Sequence, residues 1–345
     1  MRQSLSVAML IVGSMVGVGF ASGQEIVGLF GSSLGIAIVP IVGLMVFGCS
    51  WVLLQVGSVL HRQGLQNGAN KAIYGKLCLG ADIFGLLNSL VVLAVLLAGA
   101  SVIGGTLYNV PIVSIILSTL SILVLRYGIS GLSRVNSILI PILIVVLVVV
   151  ATVSLRSVES QNAPNMHAIL KSMVYVSLNI YLATNILHKS NLSARQSLIA
   201  CGVASISISI LLGLVVLSLQ SNMTFVNLPM PLLHIAKSLG TVPYVLVVVI
   251  LIACIFGSMS IALYNIVEWL NTAVADRVLC GIIAVVAAYV LSMVGFEQII
   301  QLIYPIIGIV GVVHIVFNGM YLLRVRCRDI DNMSVSDTTH ELYSN

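Results

Sequence analysis

GVGFASGQE, residues 17–25, interrupts an apolar segment that otherwise runs from Leu5 to Phe30. Glycine costs about 1 kcal/mol relative to alanine inside a helix, because its backbone loses more conformational freedom. Gly17, Gly19 and Gly23 lie close together in this stretch. They predict that a helix formed by the segment unwinds here. Close packing against a neighbouring helix is the alternative, because small residues are common where helices touch in lipid.

The composition of the whole chain indicates a membrane protein. Hydrophobic residues make up 59% of the 345 residues, only 7% are charged, and the mean hydropathy is +1.17. Soluble domains contain about 25% charged residues. The long apolar runs also lack the alternation expected of barrel strands. The sequence therefore predicts an all-α polytopic membrane protein.

Charges, prolines and Gly/Asn clusters divide the chain into ten predicted membrane spans. These are residues 5–30, 34–60, 83–107, 110–125, 135–155, 168–188, 196–219, 241–269, 278–295 and 297–323. Twelve of the 15 basic residues then fall on one side: Arg2, Arg62, Lys71, Lys76, Arg126, Arg134, Lys189, Arg195, Arg277, Arg324, Arg326 and Arg328. The other side holds Arg156, Lys171 and Lys237. The positive-inside rule predicts a protein of the cell membrane with both termini in the cytoplasm.

Ten spans form two halves of similar length, at about 5–155 and 168–323. Because each half has five spans, the second enters the membrane from the opposite side. Such a 5+5 inverted repeat is typical of secondary transporters. Polar residues including Ser177 and Asn179 interrupt the sixth span, as glycines interrupt the first. We therefore predict that helices one and six are both broken.

Other features of the sequence indicate the domain organisation of the protein and limit its partners and cofactors. Residues 1–328 are predicted to form a single transmembrane domain, and the polar, acidic segment 329–345 a disordered cytoplasmic tail. The net charge of +5 is scattered over short loops and does not indicate nucleic acid binding. The six cysteines form no CxxC pair or cluster with histidine, so no cofactor or structural metal is predicted. The sequence does not indicate an oligomeric state.

Ten spans with a glycine-broken first helix and a polar sixth helix resemble the amino acid–polyamine–organocation transporter superfamily, with its LeuT-type inverted repeat. GVGFASGQE is similar to the N-terminal signature of the YkvI-like bacterial membrane proteins. The resemblance implies secondary active transport of a small organic solute, an amino acid or related amine, by alternating access. It implies Na⁺ or H⁺ as the coupling ion, and the solute and the lipid bilayer as partners.

The resemblance also implies a solute site between the two interrupted helices. One wall is assigned to the first span, at Gly17, Val18, Gly19, Phe20, Ala21, Ser22 and Gly23, and the other to the sixth, at Tyr175, Ser177 and Asn179. In sodium-coupled members, hydroxyls of span eight and carbonyls of span one hold the cation, which here implies Ser258 or Ser260. Residues two apart point to different helix faces, so we expect at most one of these serines to coordinate.

Glu25 is the acidic residue of the first span. It lies about 7 residues beyond the middle of the span, or roughly 11 Å at the helical rise. This position is within the hydrocarbon half-thickness of about 15 Å. An acidic side chain at such depth is costly and usually functional. We interpret Glu25 as a coupling or gating residue, with a purely structural cap of freed N–H groups as the alternative.

An intramembrane enzyme and a receptor are the two functional classes that compete with transport. GISG, residues 128–131, matches the GxSG of rhomboid-type proteases, but it lies in a loop between Arg126 and Arg134 without a histidine at matching depth. No HExxH motif is present. We therefore predict that the protein is not an enzyme. A non-transporting receptor or sensor that retains the transporter fold remains the alternative, because it needs the same pocket.

Overall fold

A computed structural model of the protein describes residues 2–31, 35–107, 112–154, 166–271 and 276–342. These ranges are helical and contain no strand, which confirms the all-α class. Several predicted features lie outside the described residues. They are the span ends at 34, 110–111 and 155, together with Arg156 and the tail residues 343–345.

Fifteen α-helices follow one another in the described ranges. They are α1 (Arg2–Met15), α2 (Val18–Ala21), α3 (Gln24–Phe30), α4 (Ile38–Arg62), α5 (Ala69–Tyr74), α6 (Cys78–Leu107), α7 (Ile112–Leu125), α8 (Gly128–Ser154), α9 (Met166–His188), α10 (Ala194–Gln220), α11 (Pro231–Leu239), α12 (Thr241–Leu270), α13 (Arg277–Ser292), α14 (Phe296–Gln298) and α15 (Tyr304–Leu342). A π-helix, Ile299–Ile303, joins the last two.

The described helices fit a multi-pass membrane protein. Six helical segments are long and apolar enough to cross a membrane: Ile38–Arg62, Ala69–Gly104, Ser130–Ser154, Ala194–Gln220, Thr241–Leu270 and Phe296–Arg328. The helices α7 and α13 are also apolar but shorter, with 14 and 16 residues. Many large hydrophobic side chains on these helices are exposed, as expected for surfaces that face lipid.

The first predicted span is broken, as the glycines indicate. Gly17 precedes α2 with an extended backbone (φ −90°, ψ −173°), so the hydrogen-bond ladder of α1 does not continue. In an unbroken helix, the carbonyls of Gly13 and Val16 would accept from N–H groups four residues further on. Both accept instead from the Ser258 hydroxyl of α12, at 3.1 and 3.2 Å. A side chain of a distant helix thus replaces part of the ladder.

A second interruption separates α2 from α3 at Gly23, whose φ of 79° is in the left-handed region. The lid, which we define as residues 226–239 and which includes α11, packs over this interruption. The Leu232 N–H donates to the Ser22 carbonyl at 3.0 Å, and the Met230 N–H donates to Gln24 Oε1 at 3.1 Å. The lid backbone therefore covers this end of the break.

The predicted break in the sixth span is wrong, because α9 is continuous over 23 residues. It contains neither glycine nor proline, and its polar side chains bond back to its own carbonyls. Asn179 Nδ2 donates to the Tyr175 carbonyl at 3.0 Å, and the Ser177 hydroxyl donates to the Val174 carbonyl at 3.0 Å. Such local bonds satisfy the side chains without opening the helix.

The irregular backbone of the second half lies in its last span. Here the π-helix Ile299–Ile303 directly precedes α15. Pro305 has no N–H group and cannot donate to the carbonyl four residues before it, which favours irregular hydrogen bonding at this point. At its other end, α15 extends to Leu342, and 329–342 contains no glycine or proline. The disordered tail expected from residue 329 stays a prediction.

Helix packing brings the broken segment to the centre of the molecule. The helix α1 packs on α8, α9 and α10, and α9 packs on α4 and α15. On the other side, α12 packs on α6, α7 and α8, and α13 packs on α6. The short helix α2 contacts both α6 and α12. The break is therefore enclosed by helices from both halves of the chain.

Gly23→Ala is expected to destabilise the protein more than Gly17→Ala. A Cβ at Gly23 would require an L-residue in the left-handed region, at about 1–2 kcal/mol, and would lie 3.2 Å from the Leu219 side chain. A Cβ at Gly17 would make only ordinary contacts, the nearest at 3.6 Å from the Ser258 hydroxyl. Thermal unfolding of both variants in the same detergent measures the difference. Equal destabilisation would contradict the assigned conformation of Gly23.

Candidate functional site

A small cavity lies where the broken first span faces α6, α9 and α12. Its volume is about 20 Å³, enough for roughly one water molecule. It is lined by Ser14, Gly17, Val18, Gly19, Glu25, Val92, Leu96, Leu178, Asn179, Leu182, Ser258 and Tyr304. We call it the central cavity. Its walls combine irregular backbone, a carboxylate, an amide and hydroxyls with apolar side chains, a composition typical of small-molecule sites.

Glu25 supplies the charge of the central cavity. Its side chain is 3% exposed and turns back over α2, so that a Cβ at Gly19 would lie 2.9 Å from Glu25 Oε2. Asn179 Nδ2 on α9 donates to Glu25 Oε1 at 2.7 Å. None of the other lining residues is a lysine, arginine, histidine or acid. A buried carboxylate with one side-chain donor is therefore the dominant electrostatic feature of the cavity.

Two tyrosines add polar groups near the carboxylate. Tyr304, the first residue of α15, lines the cavity and is buried. Tyr175 is fully buried on α9, where its ring lies 5.8 Å from that of Phe30. Its hydroxyl has no hydrogen-bond partner among the described residues. Buried hydroxyls are normally hydrogen-bonded. The Tyr175 hydroxyl is therefore a polar group near the site that is available for a further hydrogen bond.

The predicted first-span wall lies only partly on the central cavity. Gly17, Val18 and Gly19 line it. The other four predicted residues, Phe20, Ala21, Ser22 and Gly23, are buried but do not line it. The lid reaches this end of the break through Ser22, whose carbonyl accepts from the lid backbone.

The predicted sixth-span residues also separate. Asn179 lines the cavity, whereas Tyr175 is buried behind it. Ser177 points to α15, where its hydroxyl donates to the Gly308 carbonyl at 2.7 Å. The helical period explains the direction of Ser177, because residues two apart point to different faces, whereas Tyr175 and Asn179, four apart, share one face. Leu178 and Leu182 line the cavity beside Asn179 and were not predicted.

The two serines proposed as cation ligands also point in different directions. The Ser258 hydroxyl contacts the freed carbonyls of Gly13 and Val16 and lines the central cavity. The Ser260 hydroxyl donates instead to the Phe256 carbonyl at 2.8 Å and to Ser121 Oγ at 3.3 Å, away from the break. Within the described residues, no cluster of three His, Cys, Asp or Glu side chains is placed to hold a metal ion.

Further lining residues of the central cavity could not be found from sequence. Val92 and Leu96 are ordinary apolar residues of α6, one turn apart. Ser14 is one of many serines in the chain, and its hydroxyl donates to the Ile11 carbonyl at 2.8 Å. Among these residues only Tyr304 stands out in the sequence, because it precedes a proline inside an apolar span, which indicates irregular backbone at that point.

A larger polar cavity of about 640 Å³ lies at the end of the molecule opposite the lid. We call it the vestibule. It is lined by residues of α5, α6, α9, α12 and α15, including Asp82, Ser89, Asn185, Lys189 and Glu268. Lys189 forms an ion pair with Glu268, and Arg277 Nη2 contacts the other oxygen of Glu268 at 2.9 Å. Ser89 in the vestibule lies one turn from Val92 in the central cavity, so the two spaces are adjacent along α6.

Comparison with known proteins finds two relatives that match this chain over most of its length. No protein-family model matches it. It is 26% identical over 331 residues to the uncharacterized membrane protein YkvI of Bacillus subtilis (strain 168), covering 89% of this chain and 93% of YkvI. It is 24% identical over 330 residues to the uncharacterized protein YyaD of the same organism, covering 90% of this chain and 94% of YyaD.

Solved structures with the same architecture are transporters. MhsT, solved in complex with L-phenylalanine, matches with a TM-score of 0.67 and 17% identity, covering 92% of this chain and 87% of MhsT. The inward-facing conformation of Mhp1, a nucleobase-cation-symport-1 family transporter, matches with a TM-score of 0.68 and 14% identity, covering 93% and 75%. A manganese transporter of Eremococcus coleocola matches with 0.61 and 15%, covering 93% and 78%. The chain is thus a multi-pass membrane protein that is similar to YkvI over most of its length and has the fold of these transporters.

Proposed function

We propose that this protein is a secondary active transporter of the cell membrane that moves a small organic solute, an amino acid or related amine, by alternating access. The observation that carries the proposal is the central cavity, which is built on interrupted backbone and contains a buried carboxylate. Irregular backbone at membrane depth is tolerated where it lines a cavity or is buried in protein. In transporters, such interruptions form the solute and ion sites.

The helices fit ten spans in a 5+5 inverted repeat. In this scheme α1–α3, α4, α6, α7 and α8 form one half, and α9, α10, α12, α13 and α14–α15 the other. Several packing pairs then have an equivalent under exchange of the halves. The pair α1 and α10 matches α9 and α4, the pair α1 and α8 matches α9 and α15, and the pair α6 and α13 matches α12 and α7. These repeated pairs support the repeat although the halves share no visible sequence identity.

The accessibility of the two ends supports an inward-open state. On the lid side, Ser22 and Gln24 are buried and hydrogen-bonded to residues 226–239, and the neighbouring Glu25 is also buried. On the opposite side, the vestibule is wide, and its lining includes Lys71 and Lys189, which the positive-inside rule assigns to the cytoplasm. With this orientation both termini are cytoplasmic. Alternating access would require the vestibule to close and the lid to lift from the break.

The charge of the central cavity favours a solute with an ammonium group. Glu25 is the charged lining residue, and no lysine or arginine lines the cavity to neutralise it. A buried charge is stable only when it is paired or hydrogen-bonded. An amine or amino acid would supply the missing positive partner next to Glu25. MhsT, which shares the fold, was solved with the amino acid L-phenylalanine.

Two features support ion coupling. The Ser258 hydroxyl lies within hydrogen-bond distance of two carbonyl oxygens, those of Gly13 and Val16, and these three neutral oxygens form a set suited to Na⁺. Glu25, buried beside the cavity, is a carboxylate that can carry a proton. Na⁺ and H⁺ therefore have separate candidate sites in the same break. The resemblance to transporters whose sodium ion is held by span-eight hydroxyls and span-one carbonyls supports the Ser258 site, so we favour Na⁺.

Glu25→Gln is expected to lower solute uptake about tenfold or more, because a charge-assisted contact to the solute is lost. The measurement is uptake by reconstituted proteoliposomes, with a panel of amino acids and amines and defined Na⁺ and pH gradients. If Glu25 carries the coupling proton, the variant also loses the pH dependence of uptake. Wild-type rates in the Glu25→Gln protein would contradict a solute or proton role. Solute binding without any flux in the wild type would favour the receptor alternative.

Ser258→Ala and Ser260→Ala form a matched pair for the cation site. Both serines are buried on α12, and each loses one hydroxyl. We expect Ser258→Ala to raise the Na⁺ concentration for half-maximal uptake about tenfold, equivalent to roughly 1.4 kcal/mol of binding free energy. Ser260→Ala should leave it unchanged, since its hydroxyl faces α7. Equal Na⁺ dependence in both variants would contradict a cation ligand role of Ser258.

A further inference from the structure

Asn136 of α8 has a buried side-chain oxygen that no other described residue hydrogen-bonds. The residue is 1% exposed, and its Nδ2 donates to the Leu132 carbonyl at 3.0 Å. Its Oδ1 makes no hydrogen bond among the described residues. A buried amide oxygen is normally satisfied by protein, water or an ion, so each exception needs a physical explanation.

Two glycines leave room for this oxygen beside the break of the first span. A Cβ added to Gly13 would collide with Asn136 Oδ1, and a Cβ added to Gly257 would lie 3.0 Å from it. The amide therefore occupies the space between α1 and α12 that side chains at these positions would fill. A cavity of about 10 Å³ adjoins it, lined in part by Gly13, Val16, Asn136, Cys254 and Gly257.

The same two helices present the other oxygens of the candidate cation site. The carbonyls of Gly13 and Val16 are held by Ser258, which follows Gly257 directly. Asn136 Oδ1 therefore approaches the site from a third helix, α8. All four groups are neutral oxygens, and no charged side chain lines either adjoining cavity except Glu25. Divalent cations are usually bound through carboxylates, so this set suits a monovalent alkali cation.

We propose that Asn136 is a ligand of the coupling cation and thereby joins α8 to α1 and α12 when the ion binds. The inference rests on the proposed cation coupling and adds a residue from outside the two helices assigned to the site. On binding, the Ser258 hydroxyl turns its hydrogen away from the carbonyls and offers a lone pair to the ion. Asn136 Oδ1 gains the partner that it lacks.

The test measures ion binding to the purified protein without solute. Thermal unfolding is followed during titration with NaCl, KCl, LiCl or CaCl₂, with choline chloride keeping the ionic strength constant. For the wild type we expect saturable stabilisation by Na⁺. Asn136→Ala should raise the Na⁺ midpoint about tenfold, as Ser258→Ala does. Asn136→Asp should instead lower that midpoint and add a response to Ca²⁺, because it places a carboxylate among the ligands.

Asn88 provides the matched control. It lies on α6 and is 1% exposed, neither of its amide atoms has a hydrogen-bond partner in the part of the chain that the structure describes, and it lines none of the cavities described above. Asn88→Ala and Asn88→Asp should lower the unfolding temperature equally in every salt and leave the Na⁺ midpoint unchanged. The control separates a lost ligand from the general cost of altering a buried asparagine.

Each outcome decides between distinct explanations. If Asn136→Ala and Asn136→Asp keep the wild-type Na⁺ midpoint while Ser258→Ala shifts it, Asn136 only packs between the helices. That result overturns the inference and leaves the cation site intact. If no alkali cation stabilises the wild type, both the inference and the proposed Na⁺ coupling are wrong. Should Asn136→Ala fail to fold, the gain of Ca²⁺ response in Asn136→Asp still tests the ligand role.

Discussion

Backbone polar groups inside a bilayer must find partners within the protein, and the interrupted first span makes this requirement acute. The break frees carbonyls that an intact helix would use. The Ser258 hydroxyl lies within hydrogen-bond distance of the carbonyls of Gly13 and Val16. The N–H of Leu232, in the lid, donates to the Ser22 carbonyl. The elements that enclose the central cavity are thus the same elements that complete the hydrogen bonds of the break. Neither the lid nor α12 can move away without leaving part of the break unsatisfied or newly hydrated.

Because the same elements complete the hydrogen bonds of the break and enclose the cavity, residues 17–25 both interrupt the helix and supply groups to the cavity. Gly23 provides the left-handed turn, and Glu25 two residues later is carried back over α2 to meet Asn179. The carboxylate is buried, and its described side-chain donor belongs to the opposite wall. A solute or ion that enters between Glu25 and Asn179 therefore competes with an existing bond. Binding and rearrangement of the walls are linked by the same contact.

Much of the fold follows from patterns that the sequence displays directly. The apolar composition predicts the all-α membrane class, and the clustered glycines predict the break, because φ at Gly23 is one that L-residues avoid. The sixth span shows the limit of this reasoning. Polar residues there look like an interruption, but they bond to carbonyls one turn back and leave α9 intact. Composition alone does not reveal whether a polar side chain opens a helix or folds back on it.

The site was less predictable than the fold for a related reason. Ser258 and Ser260 are alike in sequence, and only the rotation of α12 directs one to the break and the other to Ser121. Asn136 and Tyr304 come from helices that sequence does not connect to the first span. Their positions depend on tertiary packing, which the pattern along a single helix does not record.

The continuity of α9 has a mechanical consequence. Asn179 stands about 20 Å of helix from the start of α9 at Met166 and about 14 Å from its end at His188. A stiff rod that tilts about an interior point swings its two ends in opposite directions. A small tilt of α9 about a point near Asn179 would therefore move both of its ends by larger distances, in opposite directions. In such a movement the interrupted first span would serve as the joint and α9 as the lever.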